Sequence, residues 1–155
     1  MEVIRFLIPV WLMALCWSML NLSAVHSKAL PPDGSRLPPC PDSPNCVSSR
    51  SEREGRAIAP LVIQGSPRET MDCLKRVIMA MKRTRIISSD TLSIEAEFRT
   101  RLGFVDDVSF EMDAGAGVIH MRSASRVGYW DLGQNRKRLE KIRQLMLQQC
   151  QQRVD

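Results

Sequence analysis

Histidine is nearly missing from this chain, with His26 and His120 its only two. A metal site built on imidazole therefore has no ligand supply, and no C-x-x-C pair compensates for it. Aromatic residues amount to 5%, so bases and sugars would find few surfaces to stack on. No nucleic-acid motif accompanies the basic balance, no G-x-S-x-G turn exposes a nucleophilic serine, and no segment repeats. Neither a cofactor nor a metal is expected, and nucleic acid is set aside as a partner.

The remaining composition is that of a globular protein. The 155 residues are 44% hydrophobic and 25% charged, enough for one domain with a real core. A formal charge of +5 favours anionic surfaces in general without naming one.

Residues 6–27 contain no Asp, Glu, Lys or Arg. One basic residue, Arg5, precedes them, 6–22 is almost wholly apolar, and small residues follow at Ser23, Ala24, Ser27 and Ala29. This is the anatomy of an export signal. The run is long for a cleaved signal and short for a membrane span of about 20 residues. Residues 1–27 are therefore read as a signal peptide, with an uncleaved signal anchor as the alternative. Cys16 follows Leu15 instead of a small residue, which argues against lipidation. The expected location is periplasmic or extracellular, and retention of residues 6–27 would add a membrane tether. Losing Glu2 and Arg5 leaves the mature charge at +5.

Six prolines fall within residues 30–44. They remove backbone donors and fix φ, so 28–55 reads as an extended linker ahead of a single domain over 56–155. Residues 61–63 form a short strand candidate. Ser66-Pro67-Arg68-Glu69 has the grammar of a helix start, and Met71, Leu74, Val77, Ile78 and Met81 recur at spacings of three and four behind it. The period then changes to two: Leu92, Ile94, Ala96 and Phe98 alternate with polar residues, and Phe104, Asp106, Val108, Phe110 and Met112 share one face. Residues 118–127 give a further strand, and 85–88 can supply another. Residues 134–149 close with a helix whose stripe is Leu139, Ile142 and Met146, with Arg136 and Glu140 placed to pair at i,i+4. The order predicts an α+β fold: an antiparallel sheet of about four or five strands with two helices on one face. A helix-grip arrangement is one way to build it.

Parity constrains the first hairpin. Apolar members are even-numbered in both strands, so partners sum to an even number and the loop has odd length. A loop centred on Gly103 predicts Phe98 opposite Val108 and Arg99 opposite Asp107.

Four segments resemble one family, catalogued as domain of unknown function 1499. They are Cys40-Pro41-Asp42-Ser43-Pro44-Asn45-Cys46-Val47-Ser48-Ser49, Phe104-Val105-Asp106-Asp107-Val108-Ser109-Phe110, Arg122-Ser123-Ala124-Ser125-Arg126-Val127-Gly128, and Asp131-Leu132-Gly133-Gln134-Asn135-Arg136-Lys137-Arg138-Leu139-Glu140. Order and spacing agree over residues 39–143. The resemblance implies a fold and a set of positions, with no reaction attached. Tyr129-Trp130 is bulkier than the pair associated with that place, and Cys73 and Cys150 lie outside the shared motifs.

The mature form has four cysteines, Cys40, Cys46, Cys73 and Cys150. In an exported chain an even count reads as disulfides. A Cys40–Cys46 loop is geometrically reasonable, and Cys73 and Cys150 can join the two helices if those faces meet. Four cysteines allow three pairings, so connectivity stays open.

The candidate binding residues are Asp106, Arg122, Ser123, Arg126, Asn135 and Arg136. Asp106 falls on the apolar face, where an ionised carboxylate needs a cation or several donors. Arg122, Arg126 and Arg136 are the candidates. The structural reading is an ion pair anchoring the last strand or helix; the functional one is an acid/base group with a raised pKa. Ser123 and Ser125 project opposite to His120, which disfavours a hydrolase. Basic residues from Arg136 to Arg143 crowd a helix start that prefers negative charge, with Asp131 as a cap. A docked anion would relieve the mismatch, whether an internal carboxylate or an external partner. The expected function is a non-enzymatic exported module binding an anionic small molecule, lipid headgroup or acidic protein. The alternatives are an enzyme using Asp106 with arginines, and a membrane-tethered assembly factor.

Overall fold

Ser66-Pro67-Arg68-Glu69 opens a helix as its residue types require. The Ser66 hydroxyl accepts from the Glu69 amide and donates to the Glu69 carboxylate, while Pro67 sits where no amide bond is needed. The computed structural model describes residues 34–150; the leader with its cut sites, Cys16 and His26 lies outside the described residues. In chain order the elements are β1 (Cys46–Ser48), β2 (Leu61–Val62), α1 (Pro67–Ala80), β3 (Thr84–Ser89), β4 (Ser93–Arg99), β5 (Val105–Asp113), β6 (Val118–Ser125) and α2 (Gln134–Cys150).

The strands make one antiparallel sheet in the order β1-β6-β5-β4-β3, with β2 pairing β6 as well. Val47 lies opposite Ser123 and Leu61 opposite Ile119, so β1 and β2 pair with successive stretches of β6. The fold is α+β, with six strands instead of four or five. The extra one, β1, comes from the stretch read as linker: proline density hid a three-residue strand that follows the last proline, Pro44.

Alternation sorts the sheet into two faces. Ile94, Ala96, Phe98, Val108, Phe110, Ile119 and Met121 turn inward, where Leu74, Val77 and Ile78 of α1 and Leu139, Ile142 and Met146 of α2 complete the core. The Cys73–Cys150 disulfide joins the two helices, and Cys40–Cys46 closes the small loop ahead of β1. The opposite face is polar, and residues 35–39 run across it. Ser35 Oγ and the Arg36 amide donate to the Glu111 carboxylate, and Leu37 is buried beneath.

The β4–β5 loop has odd length, as parity demands, but its centre is Leu102. Phe98 therefore pairs with Asp106, and Glu97 with Asp107, two residues away from the Val108 and Arg99 pairings expected. The Thr100 amide donates to the Phe104 carbonyl, leaving three loop residues with Gly103 last at φ +88°. A three-residue hairpin places its left-handed residue at the end of the loop, which is where glycine belongs. Phe104 consequently sits outside the ladder and is exposed, instead of joining the inner face.

Candidate functional site

Asp106 is 1% exposed at the end of the inner face, level with Phe98 and Ser125. A carboxylate removed from water this completely needs a cation, and Arg138 of α2 supplies it through a direct Nη2–Oδ2 contact. The same guanidinium stacks over the Phe98 ring, 5.1 Å from its centroid. Its Nη1 donates to Ser123 Oγ at 2.9 Å and to Asn135 Oδ1 at 2.7 Å. Asn135 is fully buried and ties three parts of the chain together, the disulfide loop, β6 and α2. Its Oδ1 also accepts from Ser123 Oγ at 2.6 Å, and its Nδ2 donates to the Asn45 carbonyl and to Ser125 Oγ. The Asn45 side chain in turn donates to the Gly128 carbonyl.

Helix α2 starts where it does because of Asp131, whose carboxylate accepts from the Gly133 and Asn135 amides. The helix start thus holds an internal carboxylate, that of Asp131. The crowd of arginines behind it is also engaged. Arg136 donates to the Gly55 and Ala57 carbonyls, and Arg143 to those of Ala59 and Pro60. Glu140 pairs with Arg143 at 3.0 Å, not with Arg136.

Of the six candidate residues, Asp106, Ser123 and Asn135 meet in one buried cluster. The other three lie elsewhere, so none of Arg122, Arg126 and Arg136 partners Asp106. Strand parity places Arg122 on the outer face, and Arg136 points from the flank of α2 toward residues 55–57. Arg138 was missed, yet helix phase could have found it: three residues after Asn135 and four before Ile142, it shares their buried face.

The Cys40–Cys46 loop, the Asp106 strand, the serines of β6 and the start of α2 converge on this cluster. Residues 36–146 match the model of a family described as a protein of unknown function, DUF1499. The chain belongs to that family. No curated protein and no solved structure matches it. In this DUF1499 chain the shared segments form a polar clasp that holds the last helix and the disulfide loop to the sheet.

The outer face carries a second set of charges. Arg126 contacts Asp107 through Nε and Nη2 and reaches Glu97 at 2.6 Å, while Arg85 pairs with Glu97 at 3.0 Å. Hydrogen bonds from Arg126 and then Arg85 hold the Glu97 carboxyl below its ordinary range, and those to Asp107 and Glu97 raise the Arg126 guanidinium. Arg122 lies under Pro39. Burial pushes its guanidinium down, against Asp107 and Glu95. Among the described residues its Nε is the one fully buried side-chain nitrogen or oxygen without a hydrogen-bond partner. His120 meets Ser49, Oγ to Nδ1 at 3.1 Å, a contact the sequence did not suggest; the Ser49 oxygen also accepts from the Met121 amide.

An open cleft of about 580 Å³ lies between residues 37–40 and 48–56. Two of its arginines turn toward one loop: Arg53 pairs with Asp42 at 2.7 Å, and Arg56 donates to the Pro41 and Asp42 carbonyls.

At one end of the sheet the character changes. The Arg126 amide donates to the Val105 carbonyl and the Arg99 amide to the Arg83 carbonyl, so the α1–β3, β4–β5 and β6–α2 connections leave from this same end. Large apolar side chains stand in solvent there: Leu102 is 84% exposed, Tyr129 74%, Trp130 69% and Leu132 64%, with Phe104 and Val127 more than half exposed. Lys82, Arg83, Arg99 and Arg101 are exposed beside them and form no ion pair among the described residues. Leu132 and Arg83 both have left-handed backbones, at φ +54° and +58°. Side chains rarely accept that conformation without a reason.

Proposed function

We propose that this protein is an exported, non-enzymatic module that engages an anionic partner through the end of its sheet bearing the β4–β5 and β6–α2 loops. Export is supported by the charge-free apolar leader and by two disulfides, which persist in oxidising compartments. The reading is carried by one observation: at this end Lys82, Arg83, Arg99 and Arg101 stand exposed without carboxylate partners among the described residues, whereas Arg136, Arg138 and Arg143 of α2 are bound internally. A cation already saturated by its own chain has little left for a ligand; of these four, Arg83 gives its Nε to the Arg99 carbonyl at 3.3 Å, and the group otherwise remains open to one.

The competing enzymatic reading uses Asp106 with an arginine to polarise a carbonyl or phosphoryl group. Against it, the Asp106 carboxylate is enclosed by Arg138, and the rest of that guanidinium is held by Ser123 and Asn135. No observation favours it over the binding reading.

Binding to immobilised polyglutamate tests the proposal. The protein should be retained at low salt and released as salt screens the contact. Arg99→Ser with Arg101→Ser should abolish retention, while Arg136→Ala, altered on a side chain that holds Gly55 and Ala57, should leave it intact. Equal retention of the double variant and the wild type would remove the basis of the proposal.

A further inference from the structure

The loop end has two properties at once, and their combination names a partner more narrowly than charge alone. This step rests on the binding reading just given. Exposed apolar groups of this number on one end of a small domain mark an interaction site, since scattered single ones need no explanation but a cluster does. The cluster consists of Leu102 and Phe104 on one loop and Val127, Tyr129, Trp130 and Leu132 on the other. At 64–84% exposure, Leu102, Tyr129, Trp130 and Leu132 stand clear of the body instead of lining a hollow.

We infer that this end of the molecule inserts into the interfacial region of an anionic lipid bilayer. Three features favour a bilayer over a protein. Tyr129 and Trp130 are adjacent, and these two residue types concentrate at the membrane–water boundary because each combines an apolar ring with a polar atom. The cations beside them stand where anionic headgroups would lie when the tips are buried, and basic residues at that depth are attracted by the negative surface potential. Protruding side chains on two separate loops would each need a matching pocket in a protein, whereas the headgroup region closes around them without one. Leu132 adds a fourth indication. Glycine would adopt its left-handed backbone freely, so an exposed leucine there serves contact with something outside the chain.

The docked orientation follows. The tips of the β4–β5 and β6–α2 loops enter the interface, while Lys82, Arg83, Arg99 and Arg101 contact headgroups. Binding combines buried apolar area with electrostatic attraction, so it depends on both lipid charge and salt.

The test uses the full chain with Trp11→Phe and Trp17→Phe, which leaves Trp130 as the sole indole. Its emission then reports on the loop end whatever the leader does. Vesicles of phosphatidylcholine alone are compared with vesicles of equal parts phosphatidylcholine and phosphatidylglycerol, each with and without brominated acyl chains. Immobilised polyglutamate provides the acidic-protein arm. The expected result is a blue shift and bromine quenching of Trp130 in the anionic vesicles only. In that background Arg99→Ser with Arg101→Ser lowers the affinity for the anionic vesicles, titrated through that signal, on the order of 25-fold, at about fivefold for each cation. Leu132→Gly, which relaxes the backbone and cannot fail by straining it, reduces quenching while the protein stays folded. If Trp130 remains aqueous in both vesicle types while polyglutamate still binds through Arg99 and Arg101, the bilayer inference is overturned and the anionic-partner reading stands. If neither vesicles nor polyglutamate bind, both fall.

Discussion

A carboxylate as enclosed as that of Asp106 has to be paired or uncharged, and everything around it is arranged for pairing. Arg138 reaches it from α2, and Ser123 and Asn135 hold that guanidinium from the side away from the carboxylate. Removing one partner of such a pair costs more than removing both, because the survivor stays buried without its counter-charge. Arg138→Met should therefore destabilise the protein by about 3–5 kcal/mol. Adding Asp106→Leu should recover most of that loss, and urea unfolding of both variants with the two singles closes the cycle. That Asp106 needs a cation was legible from alternation alone, since it falls between Phe104 and Val108 on the apolar parity. Which cation was not: four arginines lie close in sequence to α2's start or on β6, and only helix phase separates Arg138 from Arg136. Strand parity likewise sends Arg122 to the outer face, opposite to Ser123, its neighbour in the chain.

Elements with local rules were readable and those depending on distant contacts were not. The capping box of α1 is complete within four residues, and its stripe of Met71, Leu74, Val77 and Ile78 is buried as the spacing requires. The β4–β5 hairpin was right in parity and one step off in centre, because glycine was placed in the middle of the loop instead of at its left-handed last position. Strand β1 exists only through β6, some 75 residues later in the chain, and no pattern within residues 45–48 announces it. The same holds for the helix pair, whose faces were each legible while their meeting was not. Cys73 and Cys150, 77 residues apart, lock that meeting. By loop-closure entropy this crosslink contributes about 4 kcal/mol and the short Cys40–Cys46 loop about 2 kcal/mol. The Cys73→Ala, Cys150→Ala double variant should show the larger fall in urea midpoint, and the Cys40→Ala, Cys46→Ala variant the smaller.

Taken whole, the molecule has an apolar core between two helices and the inner face of the sheet, and a charged outer sheet face over which residues 35–39 are laid. Sequence parity showed which strand residues face outward. It did not show that a proline-rich stretch would cover them, since proline marks extended backbone without saying what that backbone lies against. Several acids, one of them on the outer face, have depressed pKa values. Asp42 is held down by Arg53, Asp90 by the Leu92 amide and then Ser93, and Glu97 by Arg126 and Arg85. A carboxyl whose folded pKa lies below its unfolded value is protonated first in the unfolded chain. Its contribution is thus complete above the unfolded value of about 4 and is lost as pH falls through the folded one. Urea midpoints should be level from about pH 7 to about pH 5 and decline toward about pH 3. Glu97→Gln should flatten part of that decline, and an unchanged acid limb would show that the arginine bridges on the outer face contribute nothing to it.

The short span of the Cys40–Cys46 ring and the position of Cys150 as the last residue of α2 together imply a timetable for a chain made from its N-terminus. Cys40 and Cys46 lie six residues apart and can close at once, before any sheet exists to hold them. Cys73 then emerges with no vacant thiol among its described predecessors and keeps its own until the last residue of α2 is available. Early closure of the small ring removes both alternative connectivities, so the order in which thiols appear proofreads the second crosslink without help from the finished fold.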